Sequence, residues 1–141
     1  MVKFFGTYKR ALDEKGRLLI PSKLFTPGAK SYFILRGFEG CLSVYEKDDF
    51  DALMEKLQAK DYFDPYSRRD VRLALASVKE LPVDIHGRVL LGKDTLRDYG
   101  IGHEVTIIGV LDHFEIWDSL AYARYDLAEG RNYGQKGGKP S

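Results

Sequence analysis

The sequence predicts a mainly β chain with added helices, an α+β fold made of two related halves. Three observations carry that prediction. Asp13-Glu14-Lys15-Gly16-Arg17 runs into Leu18-Leu19-Ile20, and Asp84-Ile85-His86-Gly87-Arg88 runs into Val89-Leu90-Leu91, so one D-x-x-G-R signature with three apolar residues occurs twice. Residues 13 and 17 return as 84 and 88, a constant offset of 71, and the block from Cys41 to Glu46 returns as His113 to Asp118 at an offset of 72. Between the two copies the apolar period changes from strand-like to helical. A unit repeated twice pairs with itself about a pseudo-twofold axis, so intertwined halves are expected.

Residues 7–12 and 17–20 form two short strands around a turn, with Asp13 bonding the turn backbone and Gly16 supplying positive φ. Pro21 stops the second strand because it has no amide hydrogen. Residues 22–25 fit one helical turn, and Pro27-Gly28 a loop. Residues 32–35 and 41–45 then make a second strand pair around Gly37-Phe38-Glu39-Gly40. Phe50, Leu53, Met54 and Leu57 recur at helical spacing, with Asp48 and Asp49 at the favourable N-terminal end. Asp64-Pro65 is a cap followed by a proline at the first helical position, which starts a second helix running to about Ala74. The second copy supplies strands near 78–83, 88–91, 105–110 and 114–117, with a short helix over 92–99. A closing helix runs from Ser119 to Glu129 and ends at Gly130, ahead of a Gly- and Lys-containing tail expected to be flexible.

The expected divisions are 5–47 for the first repeat, 48–75 for a helical insert, 76–119 for the second repeat and 120–141 for the closing helix and tail. At 141 residues the chain is one compact domain or two small fused halves. No apolar run approaches the ~20 residues of a membrane helix, and the N-terminus lacks a secretory apolar stretch. The expectation is a cytoplasmic, bacterial-type protein. The single Cys41 rules out an intrachain disulfide and a cysteine-rich zinc site.

Net charge is +1, but its distribution is uneven. Residues 1–24 carry six bases against two acids, a net of +4. Residues 46–61 are net −3 and residues 80–118 net −5. A polyanion therefore prefers the first copy.

Catalytic chemistry is scarcely represented in the sequence. His86, His103, His113 and Cys41 are the whole set of soft metal ligands, and no pair has helical ligand spacing, so no metal and no cofactor is expected. Cys41 lies in an apolar strand pattern, where an inert buried thiol is the ordinary outcome. The run from Gly134 to Pro140 resembles a phosphate loop only superficially, because its glycines are one residue too close and Pro140 stands where Ser or Thr is needed. Most of the nine tyrosines and eight phenylalanines fall at core spacing, which favours packing over base stacking.

The repeated turn has two readings. In one, Asp closes the turn, Gly permits it, and Arg sits in solvent or pairs with Asp13. In the other, Lys15 and Arg17, at a turn tip and a strand start in the most basic part of the chain, present cations to phosphates and base edges. Asp13 and Gly16, with Asp84 and Gly87, are structural turn residues under both.

The ordered series resembles the MraZ family of bacterial transcriptional regulators. It comprises Phe5-Gly6-Thr7, Leu12 through Pro21, Arg36-Gly37-Phe38-Glu39-Gly40-Cys41-Leu42 with Tyr45, Val83 through Leu91, and Gly109 through Asp118. The core from Gly16 to Pro21 also resembles AbrB-type swapped-hairpin DNA-binding domains. The resemblance covers roughly residues 4–125. It implies two SpoVT/AbrB-like copies folded into a pseudo-twofold double-ψ or swapped-hairpin β-barrel. It further implies a ring homo-oligomer, commonly of eight or twelve subunits, that binds double-stranded DNA at short direct repeats upstream of its own division and cell-wall gene cluster and typically represses it. No membrane and no small-molecule substrate is implied, and localisation would be cytoplasmic and nucleoid-associated. The residues that match the family's DNA-contacting turn are Lys15 and Arg17, with Arg88 as the duplicate; Lys9, Arg10 and His86 are further candidate DNA-binding residues. The chain departs from the pattern at Leu91-Gly92, where the first copy has Ile20-Pro21, and in its Gly-rich C-terminus. The rival expectation is a ring-forming interaction module that does not bind DNA.

Overall fold

Two short apolar segments from opposite halves meet at the centre of the protein. They are β2 (Arg17–Leu19) and β6 (Arg88–Leu90), and the computed structural model, which describes residues 3–136, pairs them as an antiparallel two-stranded ribbon. Arg17 faces Leu90, Leu18 faces Val89 and Leu19 faces Arg88. With a 71-residue offset between copies, that register puts the pseudo-twofold axis through the Leu18–Val89 pair.

The other strands are β1 (Thr7–Ala11), β3 (Ser31–Arg36), β4 (Leu42–Tyr45), β5 (Lys79–Pro82), β7 (Glu104–Val110) and β8 (His113–Asp118). They form one sheet in the order β1-β7-β8-β4-β3-β5. Exchanging each strand for its counterpart in the other copy reverses this order onto itself. The axis crosses the sheet where Ser43 of β4 faces Glu115 of β8. The first strand of each copy is exchanged: β1 pairs with β7 of the second half, and β5 with β3 of the first.

The exchange corrects one sequence expectation. Residues 7–12 and 17–20 do flank a turn, but they do not form a strand pair with each other. The bonds between the two sides stop at the turn, where Asp13 meets Arg17, and each strand pairs with a segment far away in the sequence. The reason is burial. A three-residue strand hides little surface alone, whereas the ribbon sends Leu18, Ile20, Val89 and Leu91 into one core with Tyr32, Ile34, Leu42, Val44, Val105, Ile107, Phe114 and Ile116. Each such side chain gains about 1.5–3 kcal/mol on full burial.

The opposite face of the sheet is covered by the helical insert, α1 (Lys47–Gln58) and α2 (Pro65–Ala76). Phe50, Leu53 and Met54 pack on Phe33, Leu35 and Tyr45, with the Phe33 and Phe50 rings stacked at 4.2 Å. Asp64 caps α2 through a bond from Ser67 N to Oδ2 at 2.8 Å, and Pro65 takes the first helical position. That helix continues two residues past Ala74. The single turn at 22–25 is present, closed by Leu24 N to Pro21 O at 2.8 Å, whereas its counterpart in the second copy is a true helix, α3 (Lys93–Asp98). The closing helix α4 spans Ser119–Glu129, capped by Asp118. The architecture is thus mixed α+β, mostly antiparallel sheet, with α1 and α2 on one face and the ribbon, flanked by α3, on the other. The end of the tail, 137–141, lies outside the described residues.

Candidate nucleic-acid interface

The two repeated turns are built bond for bond alike. In the first, Asp13 O accepts from Gly16 N at 3.0 Å and Asp13 N donates to Arg17 O at 3.1 Å. The Asp13 carboxylate accepts from Lys15 N and Arg17 N, each at 2.9 Å, and from Arg17 Nε at 2.6 Å. In the second, Gly87 N bonds Asp84 O at 3.1 Å and Asp84 N bonds Arg88 O at 2.9 Å. Its carboxylate accepts from His86 N at 2.8 Å, Arg88 N at 2.9 Å and Arg88 Nε at 2.9 Å. Gly16 and Gly87 have φ of 78° and 80°, the left-handed region where a Cβ would be strained.

These bonds set the electrostatics. The backbone N–H of Arg17 is the main cause holding the Asp13 carboxyl below its ordinary value, followed by the Arg17 side chain and the Lys15 N–H. Asp84 is held down in the same way, first by the backbone N–H of Arg88. Both carboxylates stay charged at neutral pH and fix the arginines beside them.

Arginine pairing therefore realises part of the structural reading of the turn, but it does not consume the guanidinium. Each arginine spends its Nε on its own aspartate, and this aims the terminal nitrogens. Among the described residues, Arg17 Nη1 and Nη2 make no hydrogen bond within the chain. A guanidinium braced at one edge presents its remaining fork to a phosphate or a base edge with less entropy to lose.

Strand alternation completes the face. Leu18 and Val89 point into the core, so Arg17, Leu19, Arg88 and Leu90 point out. Arg17 and Arg88 are diagonal neighbours across the ribbon, roughly 7–8 Å apart by strand geometry. Lys15 and His86 stand exposed at the two turn tips. Lys15, Arg17, His86 and Arg88 are thus brought together on one ribbon. Lys9 and Arg10 are not part of it. They are successive residues of edge strand β1, point to opposite sheet faces, and Arg10 Nη1 folds back onto Lys9 O at 2.8 Å. Lys3, counted in the basic segment, is neutralised by Glu46 at 3.1 Å and Asp49 at 2.9 Å.

The departure at Leu91-Gly92 has a local cause. Gly92 adopts φ 85° as it enters α3, a conformation proline cannot take. Sequence reasoning missed the outward apolar members of the ribbon, Leu19 and Leu90, and Ile85 at the second turn tip. A three-residue apolar run reads as uniformly buried; only the pairing register separates its inward from its outward residues.

Other reactive groups are used by the fold. Burial, then Glu115, pushes the Cys41 thiol up, so it stays protonated. His113 stacks on Tyr45 at 4.5 Å and bonds Asp112 through Nδ1 at 2.8 Å. Among the described residues no three His, Cys, Asp or Glu side chains gather as a metal site, and no helix is long and apolar enough to cross a membrane.

Comparison with known proteins agrees with the duplication. The family described as "MraZ protein, putative antitoxin-like" matches twice, at residues 3–73 and 74–129. The chain is similar to a protein named transcriptional regulator MraZ from Rhodococcus jostii, with 38% identity over 135 residues, 96% of this chain and 94% of the relative. A protein of the same name from Acetivibrio thermocellus is 38% identical over 124 residues, 86% and 85% of the two chains. One from Mycolicibacterium smegmatis is 32% identical over 130 residues, 92% and 91%.

Proposed function

The chain belongs to the MraZ family, and on that premise we propose that it is a transcriptional regulator that binds DNA sequence-specifically through the β2–β6 ribbon. In this reading it assembles as a ring and contacts short direct repeats upstream of its own division and cell-wall gene cluster, repressing it. Reading a groove with a two-stranded β-ribbon is an established docking mode. The observation that carries the reading is the outward ribbon face, where two aspartate-braced arginines lie side by side between the exposed turn tips Lys15 and His86. The names of the relatives support the regulatory role. The contacts Lys15, Arg17, His86 and Arg88 are the residues on which the proposal stands; Lys9 and Arg10 are left as flanking cations.

One ribbon has few phosphate-reaching cations, so tight binding needs several subunits on several repeats, where each bound ribbon raises the effective concentration of the next. Each phosphate contact also releases counterions and steepens the salt dependence.

A gel-shift titration against DNA upstream of the protein's own operon tests this, run at about 50 and about 200 mM salt. A sequence-selective shift that weakens steeply with salt, and is tighter for three repeats than for one, is expected. Equal affinity for unrelated DNA, or for one repeat and three, overturns it. The rival interaction module draws on the exposed Tyr62, Phe63 and Tyr66 at the tip of the helical insert; it predicts an oligomer with no operator shift.

A further inference from the structure

The two turns share a backbone but not a tip. Across the pseudo-twofold axis Glu14 corresponds to Ile85, and Lys15 to His86. In both turns the stabilising bonds come from the aspartate, the glycine and backbone amides, so the side chain at position 14 or 85 does no structural work. Ile85 is nevertheless a β-branched apolar residue at the second position of a tight turn, where most residues fit, and it is 95% exposed.

A lone exposed apolar residue would need no explanation. Ile85 is not alone. Leu19 lies over the same turn, its Cδ1 3.8 Å from where a Gly87 Cβ would stand, and is itself 55% exposed. The first turn has no equivalent: the side chain nearest Gly16 is the half-buried Leu96 from α3, not Leu90. Leu19 and Leu90 are exposed to similar extents, 55% and 52%, so the two ends differ at their tips: Ile85 and His86 on one, Glu14 and Lys15 on the other.

We propose that Ile85 reads a thymine methyl group in the major groove, so that each subunit recognises a non-palindromic element despite its pseudo-twofold fold. The inference rests on the DNA-binding reading above. The C5-methyl of thymine is the apolar feature a base pair offers in that groove. The opposite tip carries Lys15, suited to guanine acceptors, and Glu14, suited to the cytosine amino group. One ribbon thus meets a thymine-bearing step at its second turn and a G·C step at its first. Subunits placed head to tail on such elements read direct rather than inverted repeats.

Replacing thymine by deoxyuracil removes only the methyl group. Fluorescence anisotropy would measure binding of the full chain to its upstream DNA, with each thymine of a repeat replaced in turn. The proteins compared would be the parent, Ile85→Ala and Ile85→Glu, with folding checked by circular dichroism. At one position per repeat the parent should lose roughly fourfold per repeat. Ile85→Ala should bind more weakly by a similar factor and become indifferent to uracil there. Ile85→Glu should bind more weakly still, with an unchanged oligomeric mass. Indifference of the parent to every uracil, or a uracil penalty that persists in Ile85→Ala, overturns this inference alone. A fall in oligomeric mass for Ile85→Glu also overturns it, by making Ile85 a subunit contact. Failure of the parent to bind its upstream DNA overturns the DNA-binding reading as well.

Discussion

Arg88 Nη1 of the second copy lies 3.8 Å from Asp13 Oδ2 of the first, the oxygen that already holds Arg17 Nε at 2.6 Å. One carboxylate thus faces both repeated arginines. No reciprocal contact joins Arg17 to Asp84 among the described residues, so the pseudo-symmetry of the backbone is broken in the side chains. Arg17 keeps its outer nitrogens available, while Arg88 is drawn partly toward Asp13.

That asymmetry orders two substitutions. Arg17→Ala is expected to keep the fold and weaken operator binding by about 1–3 kcal/mol, the value of a good base or phosphate contact. Arg88→Ala should cost less, because its guanidinium is shared with Asp13 and residues 80–118 carry a net charge of −5. Anisotropy titrations on both folded variants measure the difference; a larger loss for Arg88→Ala would reverse the assignment of the principal contact.

Acid should unfold the protein through its turn and cap aspartates. Asp13, Asp64 and Asp84 are held below the ordinary 3.8, first by backbone N–H bonds from Arg17, Ser67 and Arg88. A carboxylate with a depressed folded-state pKa stabilises the protein above its unfolded value, and that contribution is lost as pH falls through the folded value. Urea midpoints should stay level from neutrality to about pH 5 and fall below about pH 4. The Asp13→Asn/Asp84→Asn variant keeps the backbone acceptors but not the charge. Its acid limb should be shallower, and an equally steep limb would place the acid sensitivity elsewhere.

Gly109 has no room for a side chain. A Cβ there would fall on the backbone of Phe4 and Phe5, 2.7 Å from Phe5 Cα. At Gly37 a Cβ would meet chiefly the side-chain atoms Cys41 Sγ at 2.6 Å and Ser43 Oγ at 2.8 Å. Rotamer changes relieve the second clash more readily than backbone movement relieves the first. Gly109→Ala should therefore cost about 1–3 kcal/mol and lower Tm more than Gly37→Ala. Thermal melts would show otherwise if the two are equal.

Among the described residues the sheet ends on β1 and β5, each with an unpaired edge, and the tip of the insert exposes Tyr62, Phe63 and Tyr66. Edge strands and exposed aromatics invite neighbours. Light scattering at micromolar concentration is expected to give a mass several times the 16.1 kDa chain. A monomeric mass would remove the ring, and with it the multivalent account of DNA binding.

Much of this protein is legible locally. Asp64-Pro65 marked the start of α2, Phe50, Leu53 and Met54 marked the buried face of α1, and the two D-x-x-G-R runs marked their turns, because capping and turn bonds are made within four residues. The duplication itself showed that the halves would pair. The sequence alone could not choose partners. β1 and β2 are neighbours in the chain, yet they separate into different sheets, because the gain lies in burying Leu18 against Val89 and that depends on contacts 71 residues apart. The same limit hid the site. Arg17 meets Asp13 within its own turn, but that Arg88 also leans toward Asp13 follows from the distance between the two copies. Whether Leu19 or Leu18 is buried follows from a one-residue register. Chain-local chemistry determined the elements of this protein; non-local pairing decided which face of the ribbon is core and which is left exposed.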